Sequence, residues 1–245
     1  MNQRNRDYET TRIDPRFNGP PGIGNGGIVC ALLAEHCGDT FEAELRLPAP
    51  LDRALQIERS DGGNVELREG ESLIARARAC GELELDVPPT PSWREAEDAH
   101  LHALRAPHPF PHCFVCGPKR GAGEGLRVIG SPVPDRGGLV ATLWRPHAAF
   151  VDRSTGLVDA RFVWAALDCP GGLAALGGRC VPILLARLRG RIERCPRAGE
   201  RCMLIGWPIE QTGRKHVTGT ALIDADGAVL GRAEALWIEA RSDSG

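Results

Sequence analysis

Twice along this chain, a nearly continuous apolar run opens on a cap-type residue and is followed by strands of alternating polarity. The first run is GNGGIVCALLAEH, with Asn25, Gly26 and Gly27 at its head; the second is LVDARFVWAALDCPGG, with Asp159 in the matching place. A helix that is apolar all round must be buried on every side, so each run needs a sheet wrapped about it. Aligning Asn25 with Asp159 puts Ala34 and Asp168 nine positions on in each run. The glycines belong to one copy and the carboxylate to the other. That division points to a duplicated unit with a single composite site.

The spacing predicts a helix over 26–37, closed by Gly38 and Asp39. Alternation then predicts a strand over 41–47. Segments 53–59 and 64–69 read as strands meeting at Asp61-Gly62-Gly63, a hairpin signal. Further strands are expected over 72–80 and 81–87. The Pro-rich stretches VPPTPSW and APHPFPHC frame a linker over 88–112 that holds one short surface helix, SWREAEDAHLHAL. The domains expected are therefore 1–87 and 113–245. The second begins with strands over 125–130 and 138–145, then a helix over 159–176. Strands follow over 183–192, 201–211 and 214–224, with a last one ending near Ala240.

Composition limits the function classes. The 245 residues suffice for one large or two ordinary domains, and the net charge of −2 offers no general attraction to nucleic acid. No apolar run approaches the length that spans a bilayer. The polar segment MNQRNRDYETTRID carries no signal core, and nine cysteines without regular spacing suit a reducing compartment. A cytoplasmic location is expected. No complete P-loop, GxGxxG after a strand, or GxSxG elbow is present.

The order of elements resembles the hot-dog fold. GNGGIVCALLA resembles the glycine-opened helix of hot-dog acyl-CoA thioesterases. CFVCGPKRGAGEGL resembles their CxxCG segment, and WAALDCPGGLA their acid-bearing helix. The resemblance implies an α+β tandem (double) hot-dog, with two antiparallel sheets each wrapping a helix. It implies hydrolysis of an acyl thioester, in fatty acid metabolism, with coenzyme A or an acyl carrier as the leaving thiol. No cofactor is required, and a homodimer formed through sheet edges is an expected assembly. Two departures stand out: little room for a leading strand in the first repeat, and no intact His-Gly-Gly. A hydratase would need an Asp-x4-His pair, but Leu173 occupies the histidine position.

Thioester hydrolysis needs donors for the developing oxyanion and a carboxylate to activate water or attack. Gly26 and Gly27 are the candidate donors, with Asn25 as N-cap and substrate contact; a tight loop needing positive φ explains the same glycines. Asp168 matches the nine-residue spacing of the resembled families and is the candidate general base or nucleophile. It could instead cap a new helical segment starting at Cys169-Pro170. Glu35 misses the acid position by one residue, about 100° around the helix, and is a secondary candidate. Glu234 is another, with a solvent-facing role as its alternative. Asn18 is placed to position the thioester or to build a turn. Arg187 and Arg189, alternating with Arg191 on one strand face, could meet coenzyme A phosphates together with Arg214 and Lys215, or form a solvated surface. Cys113 and Cys116 make a lone CxxC beside His112 and His108. Without a second pair they read as packing cysteines, and no metal is expected. A rival reading keeps the fold without chemistry, as an acyl-thioester binding or regulatory protein.

Overall fold

The computed structural model describes residues 8–60 and 62–240. Asp61 of the expected hairpin and the first seven residues lie outside them. The elements run β1 (Tyr8–Thr11), α1 (Gly26–Ala34), β2 (Thr40–Leu45), β3 (Leu55–Arg59), β4 (Val65–Glu69), β5 (Ser72–Ala79) and α2 (Trp93–Ala103). After the linker come β6 (Ser131–Pro132), β7 (Val140–Trp144), α3 (Ala160–Leu176), β8 (Ile183–Ile192), β9 (Cys202–Thr212), β10 (Lys215–Ile223) and β11 (Val229–Glu239).

The sheet corrects one expectation. Instead of two sheets there is one antiparallel sheet of eleven strands, in the order β1-β3-β4-β5-β2-β8-β11-β10-β9-β7-β6. Its halves mirror each other about the β2–β8 seam, where Thr40–Glu44 pair with Arg191–Arg187. Each seam strand is the one that follows its repeat's helix. The reason is steric: α1 and α3 pack side by side, so the strands beneath them meet and satisfy each other's edges. A single apolar core runs through both halves, from Phe41 and Val65 to Leu204 and Leu222. Phe41 of β2 meets Trp164 of α3 edge-on at 4.6 Å across the seam.

Other differences are local. A leading strand does exist in the first repeat: β1 pairs with β3, Thr11 opposite Leu55. Segment 81–87 is not a strand. Its carbonyls are taken by side chains instead, Gly81 and Glu82 by Arg189 and Leu85 by Arg232. Segment 125–130 is not a strand either; Leu126 and Val128 donate backbone bonds to the Phe114 and Val115 carbonyls of the preceding loop. The linker helix α2 starts with a capping box, Ser92 and Glu95 bonding each other's backbone N–H. It is a surface helix with one covered side, because Ala96 and Ala99 join Ala141, Ile205 and Ala221 in a second core on the sheet's outer face. Among the described residues, no helix is long and apolar enough to cross a membrane.

Candidate active site

Asn25 ends the loop before α1. Its Oδ1 accepts from the Ile28 N–H at 3.1 Å, the N-cap bond expected of Asn there. With the oxygen so engaged, Nδ2 faces α3 and donates to Asp168 Oδ2 at 3.1 Å. The Gly27 N–H donates to the same oxygen at 2.9 Å. The two half-motifs therefore do meet, and more tightly than a site with substrate between them would allow. A Cβ on Gly27 would sit 2.7 Å from Ala165 Cα and 2.8 Å from Asp168 Cβ, so glycine is what lets the helices approach. Neither Gly26 nor Gly27 has a positive φ, which removes the tight-loop explanation.

Asp168 is not a cap. The helix runs unbroken from Ala160 to Leu176, through Pro170. The carboxylate is 1% exposed, and Oδ1 has no partner. Burial raises its pKa to about 7, against the opposing pull of the Gly27 and Asn25 donors. The Gly26 N–H, at the first position of the helix, makes no hydrogen bond among the described residues. Such an N–H, at the positive end of the helix dipole, can receive an anion.

These groups lie in a chamber of about 330 Å³, within the usual range of small-ligand sites. Buried Val29, Asp168, Cys169 and Trp237 line its floor, and exposed Leu47 and Leu184 its rim together with Arg46 and Arg214. His108 also lines it. The Phe110 N–H donates to its Nδ1 at 3.0 Å, so the ring proton sits on Nε2, which is buried without a partner. Burial lowers the pKa of His108, which keeps the ring neutral.

Five of the expected residues lie elsewhere. Asn18 Oδ1 accepts from Arg120 and its amide donates to Gly19 O, so it closes the loop rather than facing the chamber. Arg187 and Arg189 point away from the helices, since Leu188 and Gly190 between and beside them face the core and Trp164. Arg187 pairs with Glu234 at 3.0 Å, which places Glu234 on that outer face as well. Arg189 holds the Glu82 carbonyl at 2.8 Å. Glu35 caps the exposed end of α1. Alternation along β8 revealed that the arginines share a face; nothing in the sequence said that the chamber lies behind the other one.

Sequence reasoning also missed Cys169 as a neighbour of Cys113 and Cys116, whose three sulfurs lie within 4.8 Å of one another. The thiols of Cys116 and Cys169, with the backbone N–H groups of Cys116 and Val115, hold Cys113 well below the usual thiol range despite burial.

No protein-family model and no curated protein sequence matches the chain. Several solved structures are similar to it over nearly its full length. A conserved protein with a hot-dog fold from Alicyclobacillus acidocaldarius aligns over 97% of this chain and 94% of its own, at TM-score 0.64 and 12% identity. A putative thioesterase from Novosphingobium aromaticivorans aligns over 98% of both chains, at TM-score 0.62 and 13% identity. The acyl-CoA thioesterase II TesB2 of Mycobacterium marinum aligns over 97% of this chain and 94% of its own, at TM-score 0.60 and 10% identity. The chain therefore has the hot-dog fold, doubled along one polypeptide as in the TesB-like thioesterase structures.

Proposed function

We propose that the protein hydrolyses an acyl thioester in the chamber at the head of α1. The observation that carries this reading is Asp168: a buried carboxylate with one oxygen held by Gly27 and Asn25 and the other without a partner. A carboxylate oriented in this way and with its pKa near 7 suits a general base. In this scheme Oδ1 takes a proton from water as the water oxygen attacks the thioester carbonyl. The oxyanion falls to the Gly26 N–H, because the Gly27 N–H is committed to the acid. Collapse breaks the carbon–sulfur bond; the leaving thiolate takes the proton back from Asp168, giving a free thiol and a carboxylic acid and restoring the carboxylate. The apolar floor receives the acyl chain. Arg46 and Arg214 on the rim offer charge to the phosphates of coenzyme A or to an acyl carrier.

A panel of acyl-CoA substrates, followed by free-thiol release, tests the scheme. Asp168→Asn keeps an acceptor for Gly27 but cannot take the proton, and should lower kcat by about 10²–10⁴. Unchanged turnover in a folded Asp168→Asn would remove Asp168 from the mechanism. One observation favours the rival binding role, the commitment of the Gly27 N–H to the carboxylate. Acyl-CoA binding by wild type without thiol release would decide for it.

A further inference from the structure

The three thiols on the chamber floor have no part in the hydrolytic scheme. Cys113 and Cys116 come from the loop that enters the second half, and Cys169 from the middle of α3; all three are buried free thiols. The loop turns tightly at the first cysteine, where the Gly117 N–H donates to the Cys113 carbonyl at 3.0 Å. A Cβ at Gly117 would stand 2.4 Å from that carbonyl oxygen, so the turn requires glycine. The Asn25 amide reaches Cys169 Sγ at 3.9 Å.

We propose that Cys113, Cys116 and Cys169 form a zinc-binding centre with one coordination position open to the chamber. Zinc takes thiolates at about 2.3 Å in tetrahedral array, which sets sulfur–sulfur separations of roughly 3.8 Å. Sulfurs already within 4.8 Å of one another reach that spacing by small side-chain rotations. A sulfur set selects a soft cation over magnesium or calcium. His108 does not complete the set, because its Nε2 carries the ring proton while Nδ1 accepts from Phe110. The fourth ligand comes from the chamber, as water. Three protein ligands with one open position is the count of reactive rather than structural zinc sites. Each ion that binds displaces the thiol protons still present, up to three.

The test reads metal binding rather than turnover, so it stands or falls apart from the hydrolytic scheme. Full-length protein is reduced, stripped with a chelator and titrated with Co²⁺ as the optical probe. The expected result is a thiolate-to-cobalt charge-transfer band that saturates at one ion per chain and is abolished by Zn²⁺. Cys169→Ser should weaken zinc by more than roughly 100-fold, beyond what loss of an outer-shell partner does. Cys180→Ser, at an exposed cysteine, should leave the band intact. If Cys169→Ser does not fold, alkylation of wild type decides: zinc must shield Cys113, Cys116 and Cys169 and leave Cys180 reactive. No band in the reduced wild type, a full band in folded Cys169→Ser, or no shielding by zinc overturns the assignment.

Discussion

The two helices of the core open on the same kind of residue, yet only one of the two cap side chains bonds anything distant. Asp159 begins α3 as a cap; its carboxylate accepts from the Arg161 N–H at 2.9 Å and pairs with the Arg161 side chain, two residues away. Asn25 begins α1 as a cap and also reaches a carboxylate 143 residues along the chain. Where Asp168 stands opposite Gly27, the matching position of the other repeat holds Ala34 and the matching glycine is Arg161. A carboxylate with local, half-exposed partners stabilises a helix end. One buried against remote partners acquires a raised pKa and an oxygen left without a bond. The difference lies in where the partners come from, not in residue type.

The two helix ends should respond differently to the same substitutions. The largest contrast should be catalytic: Asp168→Asn should lose most turnover, whereas Asp159→Asn, still a good cap, should stay within about twofold. Thiol release by both variants, side by side, checks this. Next comes packing. Gly27→Ala forces a methyl against Ala165 Cα and should cost about 1–3 kcal/mol. Arg161→Ala, at a half-exposed side chain, should change stability by no more than about 0.5 kcal/mol; thermal melts separate the two.

Titration sharpens the contrast in chelated, metal-free protein. Asp168 has a folded pKa of about 7 and an unfolded value of about 3.9. Between these, the native state keeps a proton that the unfolded chain has lost, so stability should fall as pH rises from about 4 to 7 and then level off. Activity through a carboxylate base runs the opposite way, rising through about pH 7. Melting temperature and rate that climb together over that window would contradict the assignment. The smallest effect pairs Asn25→Ala with Asp159→Ala. Each loses a cap worth about 1 kcal/mol, but only Asn25→Ala removes a donor from Asp168 and should move the pH–rate midpoint upward.

Much of the fold could be read in the chain because its signals were local. The alternation of Ile183–Ile192 set β8, and Asp159 with the apolar run set α3. The expected meeting of Gly26 and Gly27 with Asp168 came from the family resemblance, on the matching spacing of the two repeats; the structure brings Gly27 and Asn25 to the acid. What escaped depended on long-range partners. Segment 81–87 alternates like a strand, but Arg189 and Arg232 claim its carbonyls in place of a neighbouring strand. Cys169 joins a CxxC more than fifty positions earlier only because α3 passes over that loop. Asn18 looked ready for substrate until Arg120, from the second half, took its oxygen.

The separation of the two half-motifs has a consequence during synthesis. Gly27 and Asp168 stand 141 residues apart. At about 5–20 residues per second, roughly 7–28 s pass between the appearance of one and of the other. Throughout that interval α1, with seven of its nine residues destined for burial, lacks the α3 face it packs against. The nascent first half is thus the vulnerable stage of this molecule, a sticky intermediate suited to chaperone capture until α3 arrives to cover it.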